Sequence, residues 1–385
     1  MPKIFPWSGA KLSQNSSDIQ PLNHGVIEKV DRLVLQNLLK PPKLMRQRSS
    51  SESLDHEQRV YALNKFSKIY GKDTFGGNPD LFYQSPEEIR PMIESEGTYL
   101  PGVQVSLMSW QSQFKPLWND SYLDPTLLGM GVDRRQTFTE KFESHKENKI
   151  CWVRWFKHTQ GAPRKTIVLL HGYGGGHLPL EERAWPTRKT LARGYDVVMM
   201  VLPFHGRRKK KSRVILPPRF PSADLRFTVE GIRQTVFDFN CLLKYLHRRG
   251  IQDISLAGMS LGGYCSSIIA SIQSDLSVTI PVIPLGCMID LIEKQERLVG
   301  DPEEKAMQKK AIEASFSMVN PTTFSPKTRP QNIRIIAGKE DGITGVAHAE
   351  ILQKHFDCNI DWFSGGHIFR KGFSHLWNEV LARPY

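Results

Sequence analysis

The sequence Gly-Met-Ser-Leu-Gly at residues 258–262 constrains the fold of this chain more than any other stretch. It follows a short apolar run that starts at Ile254, and it precedes a helix-like run that ends at Ile272. A serine between such a strand and helix occupies a sharp, strained turn, and the residues two before and two after it must lack bulk. Glycine stands at both positions. The pattern predicts that the hydroxyl of Ser260 is presented at the edge of a sheet, beside the backbone N–H of Leu261.

Strand-like and helix-like segments alternate on both sides of this serine. Residues 166–170 and 195–202 are apolar runs of strand length, and residues 223–249 carry apolar side chains at alternating steps of four and three. Such alternation is typical of a mostly parallel sheet with helices on both faces, so the expected fold class is α/β. The other elements predicted in this part are strands at 278–285, 332–337 and 359–363, and helices near 180–193, 346–356 and 369–381.

Residues 1–135 do not share this alternation. Apolar residues at helical spacing predict a helix at 26–39, which either packs on its own domain or lies on a membrane surface. A second helix is predicted at 57–70. The serine-rich, charged stretch 46–57 is typical of a mobile linker. We therefore expect an N-terminal extension or cap over residues 1–135.

Residues 136–385 are expected to form the α/β domain. Its first elements, 136–144 and 150–157, flank a polar turn and predict an antiparallel hairpin. Residues 288–318 mix apolar and charged side chains between two predicted strands. We expect them to form a helical lid over an apolar pocket, although ordinary helix packing would give the same composition.

The composition indicates the environment of the protein. The net charge of +13 favours acidic partners such as nucleic acid, an anionic membrane face or a phosphorylated substrate, and the alternative is that it only maintains solubility. The five cysteines are widely spread and show no C-x-x-C spacing, which indicates reduced thiols in a reducing compartment. We find neither the apolar region of a secretion signal nor a run long enough to span a bilayer. We therefore expect a cytoplasmic protein, either soluble or peripherally attached to a membrane.

A serine nucleophile needs a general base, and the base needs an acidic residue that orients it. Such groups lie at the carboxyl ends of parallel strands. Asp341 follows the predicted strand 332–337 and is our candidate for the acid. Glu340 is its immediate neighbour, and Asp290 lies just beyond the preceding strand, so both are alternatives for this role.

The candidate for the general base is His367. It follows the last predicted strand in a glycine-rich loop, whose small residues leave room for the imidazole to approach the serine. His375 lies inside the last predicted helix and is expected to be structural. The order serine, aspartate, histidine along the chain favours Ser260, Asp341 and His367 as the catalytic residues.

A glycine-rich loop at residues 171–176 leaves the first predicted parallel strand. Such a loop presents backbone N–H groups to developing negative charge. We expect the N–H groups of Tyr173 and Leu261 to form an oxyanion hole. A phosphate-binding loop is the alternative, but these glycines do not have the dinucleotide-binding spacing, and no Gly-Lys-Ser/Thr follows.

Together these features resemble the α/β-hydrolase superfamily, and in detail they are similar to its ABHD-type esterase and lipase branch. The resemblance covers about residues 136–385 and rests on the motifs at 171–174 and 258–262, on Asp341 and on His367. It implies an α/β-hydrolase fold, a serine nucleophile, and no metal or organic cofactor. It also implies that the turn at 203–208 lines the site. The substrate-binding residues expected on this basis are His171, Gly172, Phe204, Arg207 and Arg208.

Residues 207–213 include six cations within seven positions, in the loop that leaves a predicted strand. A cationic rim would favour an acyl ester that carries an acidic group, or contact with an anionic membrane. A solvated loop without a ligand is the alternative. The run contains no aromatic residues of the kind that stack on bases, so we do not expect specific nucleic-acid binding.

The predicted activity is hydrolysis of a small-molecule or lipid carboxylic ester through an acyl-enzyme. A thioesterase or a peptidase would use the same residues, and a non-catalytic relative would bind lipid or protein through its N-terminal region. The intact serine, aspartate and histidine argue against the non-catalytic alternative.

Overall fold

A sheet with nine strands among the described residues is the centre of the fold in this computed structural model. The structure describes residues 27–31, 56–119, 136–161, 164–212, 217–222, 224–290 and 298–384. In chain order the strands are β1 (Met92–Leu100), β2 (Val103–Gln111), β3 (Ile150–His158), β4 (Thr166–Leu170), β5 (Asp196–Met200), β6 (Ile254–Met259), β7 (Thr279–Val282), β8 (Ile335–Gly338) and β9 (Ile360–Phe363).

The order of the strands across the sheet is β1-β2-β3-β5-β4-β6-β7-β8-β9. The pairs β1–β2, β2–β3 and β3–β5 are antiparallel, and every pair from β5 to β9 is parallel. All residues of β4, β5 and β6 are buried, as expected for parallel strands covered on both faces. The predicted α/β class is therefore confirmed.

Helices pack on both faces of this sheet. Alternate residues of β4 belong to two different apolar clusters, one shared with the helices at 225–248 and 261–272 and the other with the helices at 187–192 and 373–382. The helices are α1 (His56–Tyr70), α2 (Pro79–Phe82), α3 (Phe138–Glu143), α4 (Leu178–Ala184), α5 (Thr187–Ala192), α6 (Leu225–Arg248), α7 (Leu261–Ile272), α8 (Pro302–Phe316), α9 (Val346–Phe356) and α10 (Phe373–Ala382).

The described part of the N-terminal region contributes two strands to the same sheet as the α/β domain. β1 and β2 lie in the region 1–135, where no strand is predicted from the sequence, and they extend the sheet beyond β3. The hydroxyl of Tyr70 at the end of α1 donates to Glu230 of α6 (2.7 Å), and the N–H groups of Leu117 and Trp118 donate to the same carboxylate (2.8 and 3.0 Å). Residues 56–118 and the α/β domain therefore share one core.

The predicted hairpin of 136–144 and 150–157 is confirmed for its second strand and wrong for its first. Its second arm is β3, but its first arm is the short helix α3. The hydroxyl of Thr137 accepts the N–H of Glu140 (3.2 Å), and the Glu140 carboxylate accepts the N–H of Thr137 (3.0 Å). This capping box satisfies two donors at the start of the helix, which explains why the segment is helical.

The predicted lid region contains α8, which packs against the N-terminal helix α1. The hydroxyl of Ser315 donates to the carbonyl of Leu63 (3.0 Å). Residues 291–297 of this region lie outside the described residues, as do most of the predicted helix 26–39 and nearly all of the linker 46–57. Within the described part, no helix has the length and apolar character required to cross a membrane.

Candidate active site

Ser260 occupies a strained turn between β6 and α7. Its backbone has φ 56° and ψ −110°, a conformation that residues other than glycine rarely adopt. A Cβ atom on Gly258 would lie 2.0 Å from the carbonyl oxygen of Gly262, and one on Gly262 would lie 2.3 Å from the carbonyl oxygen of Leu170. Both glycines are therefore required because backbone atoms approach them closely.

Ser260 is half-buried, and its side chain makes no capping hydrogen bond to α7. The backbone N–H of Ser260 donates to the carbonyl of Val282 at the end of β7 (2.9 Å), which fixes the turn to the sheet. A Cβ atom on Gly172 would lie 3.9 Å from the hydroxyl oxygen. The serine and the glycine-rich loop that follows β4 are therefore adjacent.

His367 and Asp341 form a hydrogen-bonded pair at the carboxyl ends of β9 and β8. The Nδ1 atom of His367 lies 2.9 Å from Oδ2 of Asp341. The other oxygen of Asp341 accepts the N–H groups of Ile343 and Thr344 (2.9 Å each), and the Thr344 hydroxyl donates to Oδ2 (2.7 Å). The aspartate is thus held rigidly while it orients the imidazole.

The pKa of Asp341 is low despite its burial. Burial alone would raise this pKa, but the charge and hydrogen bond of His367, together with donors from Thr344 and Ile343, lower it to about 2. The carboxylate is therefore ionised at neutral pH. An ionised, buried acceptor stabilises a protonated imidazole, which is what a general base requires of its partner.

Neither the alternatives named for the acid nor His375 is in this arrangement. The carboxylate that binds the ring of His367 belongs to Asp341 rather than to Glu340 or Asp290. The side chain of His375 is 80% exposed and pairs with Glu379 on the surface of α10 (3.0 Å).

His171 is a structural residue of the glycine-rich loop, which corrects its predicted contact with substrate. Only 2% of its surface is exposed. Its Nε2 atom accepts the N–H of Leu202 (3.0 Å), so its proton is on Nδ1, which donates to the carbonyl of Gly172 (2.8 Å). Burial lowers the pKa of His171 and keeps the ring neutral. The imidazole therefore fixes the loop to the end of β5.

The prediction that Phe204 binds substrate is also corrected, because Phe204 is buried in the core. Its exposed fraction is 1%, and its ring packs edge-on against Phe142 and Phe227. Its backbone has φ 60°, and its N–H donates to the side chain of Asn148 (2.9 Å). The turn after β5 therefore directs this side chain inwards, away from a substrate.

The predicted cationic rim contains a buried member. Arg208 is fully buried and pairs with Asp238 of α6 (2.8 Å), so it does not bind substrate as predicted. Arg207 is exposed, and its guanidinium lies over the ring of Trp152, 4.9 Å from the centroid. Residues 213–216 lie outside the described residues, which leaves Arg207 and residues 209–211 as the described exposed or half-buried cations of the run.

Sequence reasoning missed one residue near the candidate pair. Asp31 is fully buried, and its carboxylate accepts the backbone N–H groups of Gly342, His367 and Ile368. It lies in the helical segment 27–31. A single aspartate on a predicted helix belongs to no motif, so the sequence carried no signal that distinguished it from a solvated side chain.

The described residues contain no group of three His, Cys, Asp or Glu side chains placed to hold a metal ion.

No family model matches the chain. Two uncharacterized proteins, from two strains of Mycobacterium tuberculosis, are each 30% identical to it over 239 residues. The aligned part is 60% of this chain and 55% of each relative, so the match spans about half of the relatives' length.

Two solved structures share most of the architecture. An acetyl xylan esterase from Paenibacillus sp. has a TM-score of 0.53 at 13% identity, and the match covers 82% of this chain and 93% of the esterase. Acetyl xylan esterase 1 from Thermoanaerobacterium sp. has a TM-score of 0.50 at 10% identity, over 88% of this chain and 98% of that chain. The chain has the α/β-hydrolase fold, as its motifs predicted.

Proposed function

We propose that this protein is a serine hydrolase that cleaves carboxylic esters through an acyl-enzyme. The observation that carries the proposal is the 2.9 Å contact between His367 and Asp341. It lies at the same edge of the sheet as the strained Ser260. The fold likeness to two acetyl xylan esterases supports ester hydrolysis as the reaction class.

In the proposed mechanism Ser260 attacks the ester carbonyl. Nδ1 of His367 is bound to Asp341, so Nε2 is the ring atom that takes the proton from the serine and returns it to the leaving alcohol. Asp341, which is ionised because its pKa is low, stabilises the imidazolium that forms. Water then attacks the acyl-enzyme with the same histidine as base.

The oxyanion is proposed to bind the N–H groups of Leu261 and Tyr173. Leu261 is the first residue of α7, where N–H groups and the helix dipole favour negative charge. Tyr173 follows Gly172, whose carbonyl is bound by the ring of His171. The buried histidine would therefore support the oxyanion hole without touching the substrate.

The side chains beside the candidate base favour an ester with an apolar part. Ile368 and Phe369 directly follow His367 and are 44% and 48% exposed. Exposed apolar side chains next to a site are typical of surfaces that bind apolar ligands. The proposal of an anionic ester or an anionic membrane has weaker support, because Arg208 is engaged in the core.

The test is labelling of the purified protein with a fluorophosphonate probe. We expect the wild-type chain and the control Ser274→Ala, at an exposed serine after α7, to be labelled, and Ser260→Ala not to be labelled. A series of acyl esters, with a thioester, a peptide and an anionic phospholipid, then identifies the substrate class. Absence of label on the wild type, or equal labelling of Ser260→Ala, refutes the proposal.

A further inference from the structure

One buried carboxylate connects the two loops that carry the candidate acid and base. The side chain of Asp31 is fully buried. Its Oδ2 atom accepts the N–H of His367 (2.6 Å) and that of Gly342 (3.2 Å), and its Oδ1 atom accepts the N–H of Ile368 (3.1 Å). Gly342 directly follows Asp341. The carboxylate therefore binds backbone N–H groups in both the loop that carries Asp341 and the loop that carries His367.

Glycines allow the segment 27–31 to approach these loops. A Cβ atom on Gly342 would lie 2.6 Å from the carbonyl oxygen of Glu28 and 3.0 Å from Cβ of Asp31. A Cβ atom on Gly366 would lie 2.2 Å from Oδ2 of Asp31. Both loops thus meet the segment at positions where a side chain would prevent the contact.

We propose that Asp31 is a positioning residue, which holds the Asp341 loop and the His367 loop at the separation that their hydrogen bond requires. The inference rests on the proposed function. A buried carboxylate is costly unless donors satisfy it, so the three N–H groups and Asp31 stay together. Asp31 itself acts through the backbone and does not touch the reacting atoms.

The primary variant is Asp31→Asn in the full chain. Asparagine keeps the shape but replaces one acceptor oxygen by a donor, which faces the N–H groups unfavourably. We expect kcat to fall by about 10- to 100-fold while KM changes little, because misplacement of a catalytic group costs rate more than binding. Amide hydrogen exchange is expected to accelerate at Gly342, His367 and Ile368. The matched control is Lys29→Gln, an exposed position on the same segment.

A second variant, Gly342→Ala, disrupts the contact between the segment 27–31 and the Asp341 loop by changing the loop instead of the segment. The three atoms nearest to its added methyl group all belong to Glu28 and Asp31. We expect it to displace the segment and to lower kcat as Asp31→Asn does. The double variant should lose no more than the more damaging single variant, because both remove one shared interaction. Gly342→Ala also serves as the test if Asp31→Asn does not fold.

The outcomes separate this inference from the proposed function. Wild-type kcat in Asp31→Asn, or unchanged hydrogen exchange at the three amides, overturns the positioning role. Fully additive losses in the double variant overturn it as well. If the wild-type protein is not labelled at Ser260, the proposed function fails, but the exchange measurement still tests whether Asp31 holds both loops.

Discussion

Arg208 and Asp238 form an ion pair with an N···O distance of 2.8 Å, and neither side chain has exposed surface. The same guanidinium donates to the carbonyl groups of Asn148 (2.9 Å) and Val201 (3.2 Å). It therefore joins the loop after β5 to α6 and to the turn before β3. Arg208, which the sequence places in a predicted cationic rim, is therefore a buried residue that links three elements of the core.

We expect Arg208→Met to lower the free energy of unfolding by about 3–5 kcal/mol, because it leaves the buried Asp238 carboxylate without its cationic partner. The control is the exposed neighbour Lys210. The substitution Lys210→Gln should change the free energy of unfolding by about 0.5 kcal/mol or less. Urea denaturation measures both. The double variant Arg208→Met with Asp238→Leu should recover part of the loss, and equal stability of Arg208→Met and Lys210→Gln would contradict the assignment.

Two glycines near Ser260 should respond differently to alanine. In Gly262→Ala the methyl group would lie 2.3 Å from a backbone oxygen, so we expect loss of the folded state. In Gly172→Ala the nearest atom is 3.4 Å away, so the chain should fold, but the methyl group lies beside the serine hydroxyl and should slow fluorophosphonate labelling. Circular dichroism and labelling rates distinguish the two effects. Equal stability of both variants would argue against the close approach at residue 262.

Asp341→Asn should lower kcat on the order of 10⁴-fold, the loss expected when a histidine loses the carboxylate that sets its tautomer. The neighbouring Glu340→Gln tests the alternative acid and should stay within about 3-fold of the wild-type rate. Steady-state kinetics on one activated ester are sufficient. If kcat falls more in Glu340→Gln than in Asp341→Asn, Glu340 rather than Asp341 is the acidic residue that orients the histidine.

The low pKa of Asp341 makes stability depend on pH. Its usual value is 3.8 and its folded value is about 2, so the ionised carboxylate stabilises the folded state above about pH 4. This contribution, about 2 kcal/mol, is lost as the pH falls through the folded pKa. The stability difference between wild type and Asp341→Asn should therefore shrink between pH 5 and pH 2 in urea titrations. Ser260→Ala should follow the wild type, and parallel curves for Asp341→Asn would contradict the shift.

The features that local sequence rules describe were predictable. The turn at Ser260 depends on glycines two residues away on each side, and both are visible as a motif. Asp341 and His367 follow strand ends, so topology alone placed them at one edge of the sheet. The helix α9 was predicted with the bounds that the structure has.

The remaining features depend on contacts that are distant in sequence. The pairing of Arg208 with Asp238 and the burial of Phe204 follow from how α6 packs, and no local pattern encodes them. β1 is exposed along most of its length, so it lacks the alternation that identifies a half-buried strand. At α3 the capping box outweighed an apolar pattern that also suited a strand.

Asp31 and His367 are 336 positions apart in the chain. A ribosome therefore makes the acceptor of this bond long before it makes the donors. While the chain is growing, the segment 27–31 lacks all three of the amides that hold it in the finished molecule, since they belong to residues 342, 367 and 368. Translation must pass residue 368 before this part of the protein can reach its final arrangement, so a nascent chain that is released earlier lacks it.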